Sequence, residues 1–272
     1  MKTDLILKYK TNTLFTIVVL LLLMTSCSSE SSQWDDINEE GAFLVFRRQS
    51  QIGEETYSIT STKDSITVTS LQGENERGRI TGVLSELHLT KELVPMYYNN
   101  RRIAADTTNI FKMERSSAGT VSIWEENFEV VTTETPPVFF PLHSNIPAAM
   151  EMMLYHYYFK NGKPKIIPTL PRGQVSIVHS GQDIVQIKGE KKILERYVVK
   201  GINWGGRTIW VNKSNQLVAV VKANTQIREL IRKGYEEALQ VFIDGNVHEQ
   251  ISSLRKYTHD HKIEQPKITA LV

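Results

Sequence analysis

Cysteine is almost missing: Cys27 is the only one in 272 residues. A disulfide framework needs pairs, so none staples this chain. A strong charge of either sign is also missing. The net charge is +2, and setting residues 1–26 aside removes Lys2, Lys8, Lys10 and Asp4, which brings it to zero. That balance argues against a nucleic-acid partner, which calls for a concentrated basic surface. No apolar run reaches the roughly 20 residues that cross a bilayer comfortably. Gly-x-Ser-x-Gly is absent, so no nucleophile elbow is offered. The glycine-rich stretch Gly201–Gly206 lacks the Gly-Lys-Ser/Thr ending of a phosphate loop and reads as a hairpin turn. Serines, histidines and carboxylates are numerous enough for a triad, yet no spacing selects one. No clear internal repeat and no cofactor motif is present.

The front of the chain is informative. Lys2, Lys8 and Lys10 precede an apolar run from Leu14 to Met24, followed by Thr25, Ser26 and Cys27. A basic start, an apolar run of about 7–15 residues and small residues before a cut form the pattern of an export signal over residues 1–26. Met24-Thr25-Ser26-Cys27 resembles the bacterial lipobox, with Met24 where Leu is usual. The resemblance implies cleavage before Cys27, diacylglycerol on its sulfur, and a membrane as partner. Acylation also removes a lone thiol that would be a liability in an oxidising compartment. Several acyl chains, at about 0.8 kcal/mol per buried CH₂, give firm anchoring. Residues 27–41 are polar and acidic and read as a flexible tether. They are similar to the acidic export signals that follow the cysteine in surface lipoproteins of Bacteroidetes-type bacteria. The expected location is therefore the cell envelope, at the outer membrane of a Gram-negative bacterium.

Residues 42–258 read as one β-rich domain, with 259–272 as a tail. With 40% hydrophobic residues in the whole chain, a substantial core can form. Ala42–Arg48, Glu55–Thr60, Ser65–Ser70, Arg79–Leu89, Tyr97-Tyr98 and Thr120–Trp124 have strand character, and Asn99-Asn100 reads as a turn. The alternation in Ser65–Thr69 is that of a half-buried antiparallel strand. Pro147 sits near a helix start with Asn145 as candidate N-cap. Met150, Met153, Leu154, Tyr157 and Tyr158 follow at i, i+3, i+4, i+7, i+8 spacing, and Asn161-Gly162 is a suitable stop. Met152, Tyr155 and Phe159 make the other side apolar as well, so this helix is expected inside a sheet. Gln174–Val178, Ile184–Ile187, Arg196–Val199, Thr208–Val211 and Leu217–Val221 form a second strand block. Two helices, Thr225–Ile243 and Val247–Tyr257, are expected to close the domain. The fold class is thus α+β: a long curved antiparallel sheet clasping one helix, with two C-terminal helices.

Few residues point to chemistry. His259-Asp260-His261 could place two ligands on one side of a strand, but it lies in the charged segment Lys256–Lys262 and reads as a solvated linker. No metal site is expected. Lys191-Lys192 and Arg101-Arg102 read as solvated strand ends or turns. Met150, Met153, Tyr157 and Tyr158 are the candidates for an apolar ligand site, because methionine-rich surfaces adapt to varied ligands; core packing is the ordinary explanation for such a stripe.

Scattered segments carry a wider resemblance: Ile52–Tyr57, Asn145–Met150, Ile167–Pro171, Glu195–Tyr197, Trp204–Val211 and Arg232–Glu236. They resemble the β-rich N-terminal domain of exported bacterial proteins of the amidohydrolase superfamily, over nearly all of residues 42–258. In that family the domain precedes a metal-dependent barrel whose first strand is similar to Ile268–Val272. A (β/α)₈ barrel needs about 200 residues or more, so no catalytic residue carries over to this chain. The strand pattern is also similar to the half-barrel of periplasmic lipoprotein carriers, a fold-level analogy. The first expectation is a non-catalytic lipoprotein that binds an apolar ligand or partner protein. The second is a detached front domain that supports C–N bond hydrolysis by a separate amidohydrolase barrel. The third is a hydrolase with an unrecognised site.

Overall fold

The computed structural model describes residues 37–103, 108–125, 128–132, 135–143, 146–171, 173–202, 206–222 and 227–260. The chain enters in the middle of its sheet and walks outward as one antiparallel meander. That meander comprises β1 (Glu39–Arg47), β2 (Ser50–Ser61), β3 (Ser65–Glu76), β4 (Arg79–Thr90), β5 (Pro95–Ile103), β6 (Thr108–Arg115), β7 (Val121–Glu125) and β8 (Phe128–Thr132). Short β9 (Phe140–Pro141), helix α1 (Ala148–Lys160) and β10 (Ile167–Leu170) then carry it to the opposite edge. It returns through β11 (Gln174–Ile187), β12 (Glu190–Lys200), β13 (Arg207–Val211), β14 (Leu217–Lys222) and β15 (Arg228–Arg232). β15 closes beside β1, with Phe43 opposite Arg232 and Arg47 opposite Arg228. Among the described residues the result is one 15-stranded sheet, antiparallel except for the β9–β10 pair. A 3₁₀ turn (Glu236–Ala238) and helix α2 (Leu239–Asp260) follow.

The α+β class, the long curved sheet and the clasped helix are as the sequence predicts. The C-terminal part differs. Where helix was expected from Thr225 and again from Val247, residues 228–232 form a strand and a single helix runs through both segments. β15 lies between α1 on one face and the α2 side on the other. It therefore buries Leu230 and Ile231 in succession and loses the alternation that marks a strand. Gly245 does not end the helix either. A Cβ there would sit 2.8 Å from the Trp210 ring, so glycine lets the helix approach the sheet closely. Asn99-Asn100 is not a turn but part of β5, paired with Lys112 and Phe111 of β6. β1 begins at Glu39, inside the expected tether.

Side-chain parity divides the sheet into two faces. Phe43 and Val45 of β1, Tyr57 and Ile59 of β2, and Ile66 and Val68 of β3 are buried on the α1 face. Leu44, Phe46, Val185, Leu194, Trp210, Val221, Ile231 and Phe242 cluster on the α2 face. β13 shows the division best, since all five of its residues are buried: Arg207 meets α1 and Thr208 meets Asn246 of α2.

Candidate functional site

The α1 face holds charge where a sequence reading would place only apolar packing. Pro147 offers no side-chain cap to α1, and Asn145, the expected N-cap, lies outside the described residues. Glu55 from β2 serves instead. Its two carboxylate oxygens accept the backbone N–H groups of Ala148 and Ala149 at 2.8 and 2.9 Å, and Ser70 Oγ donates to it at 2.9 Å. These donors belong to the four unpaired amides and the positive end of the helix dipole. Burial pushes the Glu55 carboxyl upward, and the three hydrogen bonds oppose that shift.

One turn on, Glu151 is fully buried and pairs with Arg207 of β13, itself fully buried. Tyr155 donates its hydroxyl to the same carboxylate. Lys222 Nζ lies 4.0 Å from Glu151 and donates to the Ile146 carbonyl at 3.1 Å. Burial lowers the Lys222 ammonium to about 8, with the Arg207 charge adding to the effect. Beside α1, Arg232 donates to Glu39 at 2.6 Å, to Tyr57 at 2.7 Å and to Met152 Sδ at 3.4 Å. Burial works to raise the Glu39 carboxyl, but the Tyr57 hydroxyl and the Arg232 charge outweigh it and hold it low. His143 completes the lining. It bonds Tyr98 at 2.9 Å and Asn100 at 3.1 Å and stacks on Phe111. Burial holds its imidazole down at about 3.

The apolar-ligand candidates fall among these groups. Met150, Met153 and Tyr158 are 2%, 0% and 5% exposed. Tyr158 donates its hydroxyl to the Ile177 carbonyl at 3.1 Å, and the half-buried Tyr157 leans on Phe140. The four residues thus lie on a helix that is largely packed into the sheet. His259 and Asp260 end α2, 3.4 Å apart and exposed, while His261 is outside the described residues. Among the described residues no cluster of histidine, cysteine and carboxylates has metal-binding geometry, and no helix is long and apolar enough to cross a membrane. Cys27 also lies outside the described residues.

Sequence reasoning missed Glu55, Arg207, Lys222 and Glu229. A signal for Glu55 was present: it shares the inward phase of β2 with Tyr57 and Ile59, and a carboxylate in that phase needs a buried partner.

The α2 face is open in part. A cavity of about 350 Å³ lies between the first half of α2 and the ends of β14 and β15, walled by Val221, Ile227, Ile243 and Val247 with Arg48, Gln49, Glu229 and Asn246. Glu229 is 2% exposed, burial raises its carboxyl, and the Gln49 backbone N–H opposes that shift. Asn246 accepts from Thr208 at 2.9 Å. This cavity is mostly apolar with a few convergent polar groups, the usual composition of a small-molecule site.

No family model matches the chain, and no curated protein matches it. The crystal structure of a β-barrel-like protein of the domain of unknown function DUF1849, from Brucella abortus, superposes on 72% of this chain and 95% of its own length. Its TM-score is 0.47 and its sequence identity 7%.

Proposed function

We propose that this chain is a lipid-anchored protein of the bacterial cell envelope, held through Cys27, whose domain binds an apolar ligand or a partner protein and performs no chemistry of its own. One observation carries the binding part: the cavity beside α2 is open and largely apolar in surface, whereas the ionisable groups around α1 are committed to one another. The lipobox-like Met24–Cys27 supports the anchor. The test uses the chain from residue 28 onward with an environment-sensitive hydrophobic dye and with fatty acids. Uptake that disappears in Val247→Trp, which fills the cavity mouth, supports the reading; no uptake by the unsubstituted chain sinks it. Metabolic labelling with palmitate, lost in Cys27→Ser, tests the anchor separately.

A second reading is favoured by the outer half of α2. Val247, Ile251, Leu254 and Tyr257 are 47%, 44%, 49% and 62% exposed, and the first three form a stripe down one side. Such a stripe suits a protein partner, as a detached front domain of a metal-dependent amidohydrolase would require. Co-purification with a separately encoded barrel, lost in Leu254→Asp, would support it.

A further inference from the structure

One end of the sheet carries the entry of the chain. β1 starts there at Glu39, β15 ends there at Arg232, and β12 and β14 start there. Gln216 Nε2 reaches Glu39 Oε2 at 3.5 Å, so the turn between β13 and β14 abuts the first residue of β1. Beside that turn is a cleft of about 350 Å³ lined by Lys191, Lys192, Ile193, Asn212, Lys213 and Tyr235. The β11–β12 hairpin contributes Lys191 and Lys192 to its lining, and the β13–β14 hairpin contributes Lys213. Lys112 pairs with Glu114 and Lys233 with Glu54. Among the described residues, none of the three cleft lysines is within ion-pair distance of a carboxylate. Glu237, on the neighbouring 3₁₀ turn, accepts the backbone N–H of Lys188 at 3.0 Å. Lys192 Nζ lies 5.2 Å from the Tyr235 ring centroid, and Ile193 is 43% exposed. Three like charges gathered in one cleft repel one another unless an anion compensates them.

Cys27 lies ten residues before Ile37. At 3.3–3.6 Å per residue, ten residues of chain can reach no further than about 35 Å. Basic groups on that end are the ones a charged membrane surface attracts, because the attraction fades within a Debye length. A lipid chain joined to a basic patch is a known pairing of two membrane signals.

We propose that this cleft binds the phosphate of an anionic phospholipid headgroup in the bilayer to which the chain is anchored, with Lys191, Lys192 and Lys213 as the cationic contacts and Ile193 and Tyr235 against the glycerol region. The inference rests on the lipid-anchored reading and deepens it. The test uses the lipid-free chain from residue 28, which keeps the whole compact unit of residues 36–272, and vesicles of phosphatidylcholine with or without phosphatidylglycerol. The chain is expected to sediment with the anionic vesicles at low salt, to be released at high salt, and to ignore the neutral vesicles. The triple variant Lys191→Gln, Lys192→Gln, Lys213→Gln is expected to bind at least tenfold more weakly, while Arg77→Gln with Arg79→Gln, at the opposite end of the sheet, binds as before. Equal binding to neutral vesicles, or an unaffected triple variant, overturns the proposal. So does tight binding of inorganic phosphate without preference for anionic vesicles, which would assign the cleft to a soluble anion. Vesicle binding decides the cleft whichever way palmitate labelling at Cys27 comes out.

Discussion

The two helices meet the same sheet from opposite faces on different terms. α1 has most of its 13 residues buried, including Glu151 and His156. α2 has 22 residues, of which Phe242, Gly245 and Asn246 are buried and all of 251–260 are exposed. Burying a whole helix leaves its unpaired amides and polar side chains without water, so the sheet must supply Glu55, Arg207 and Lys222 from three different strands. Fixing only the first half of a helix needs less: an apolar cluster around Trp210 and Phe242, with polar contacts from Thr208 and Arg196. The α1 face is therefore committed to holding itself together, and the α2 face has surface left to offer.

The sharpest way to break this contrast is to unbalance the charges under α1. Arg207→Met leaves Glu151 buried with only the more distant Lys222 and is expected to cost about 3–5 kcal/mol in urea unfolding. Adding Glu151→Leu to it should restore more than half. A loss well under 1 kcal/mol would show that Lys222 alone balances the charge. On the other face, Phe242→Ala removes the ring that lies 4.9 Å from that of Trp210. It is expected to cost about 3 kcal/mol and to shift Trp210 fluorescence, while a near-ultraviolet signal from the tyrosines of α1 persists. Full loss of both signals would show that the faces are one cooperative unit.

Acid tests the α1 face next. Burial, helped by the Arg232 charge and opposed by Glu39, holds His156 at about 4, below its ordinary 6.5. The unfolded chain therefore takes up the proton first, and the stability due to neutral His156 is lost as pH falls from about 6.5 toward 4. Roughly 1.5 kcal/mol should go between pH 6.5 and about pH 5, with His143 adding in the same direction. His156→Gln should flatten that slope in a pH series of urea midpoints; an unchanged slope would contradict it. The smallest effect is expected at the outer end of α2, where Leu254→Ser should change stability by less than about 0.5 kcal/mol and act, if anywhere, on partner binding.

Much of this fold was legible. β2 and β3 show alternation because they face packing on one side and more open surroundings on the other, and α1 announces itself by its spacing and its stop at Asn161. β15 was not legible: a strand covered on both faces offers successive apolar residues that suit a helix equally well. Gln174–Val178 and Ile184–Ile187 read as two strands, but β11 runs through both, with a register shift between His179 and Gly181. Asn100 reads as a turn residue until His143, from a distant segment, appears as its partner. The charged anchors were hidden for the same reason. Glu55 and Arg207 acquire their roles only when strands far apart in sequence are folded onto one helix. Lys191-Lys192 reads as a solvated strand end or turn, and nothing local places Lys213 in the same cleft.

The pairing of β1 with β15 sets the order in which the protein can be completed. The first strand to be synthesised has β2 on one side within a few residues, but its other edge waits for a strand that comes almost last. Until then a hydrophobic edge, Phe43 to Phe46, stands open as a template for other strands. Such long-range closure makes for slow folding. A chain interrupted before residue 228 would retain its α1 anchors from β2 and β13 and still lack the strand that seals its centre. An incomplete form of this protein therefore carries the very edge on which foreign strands can pair.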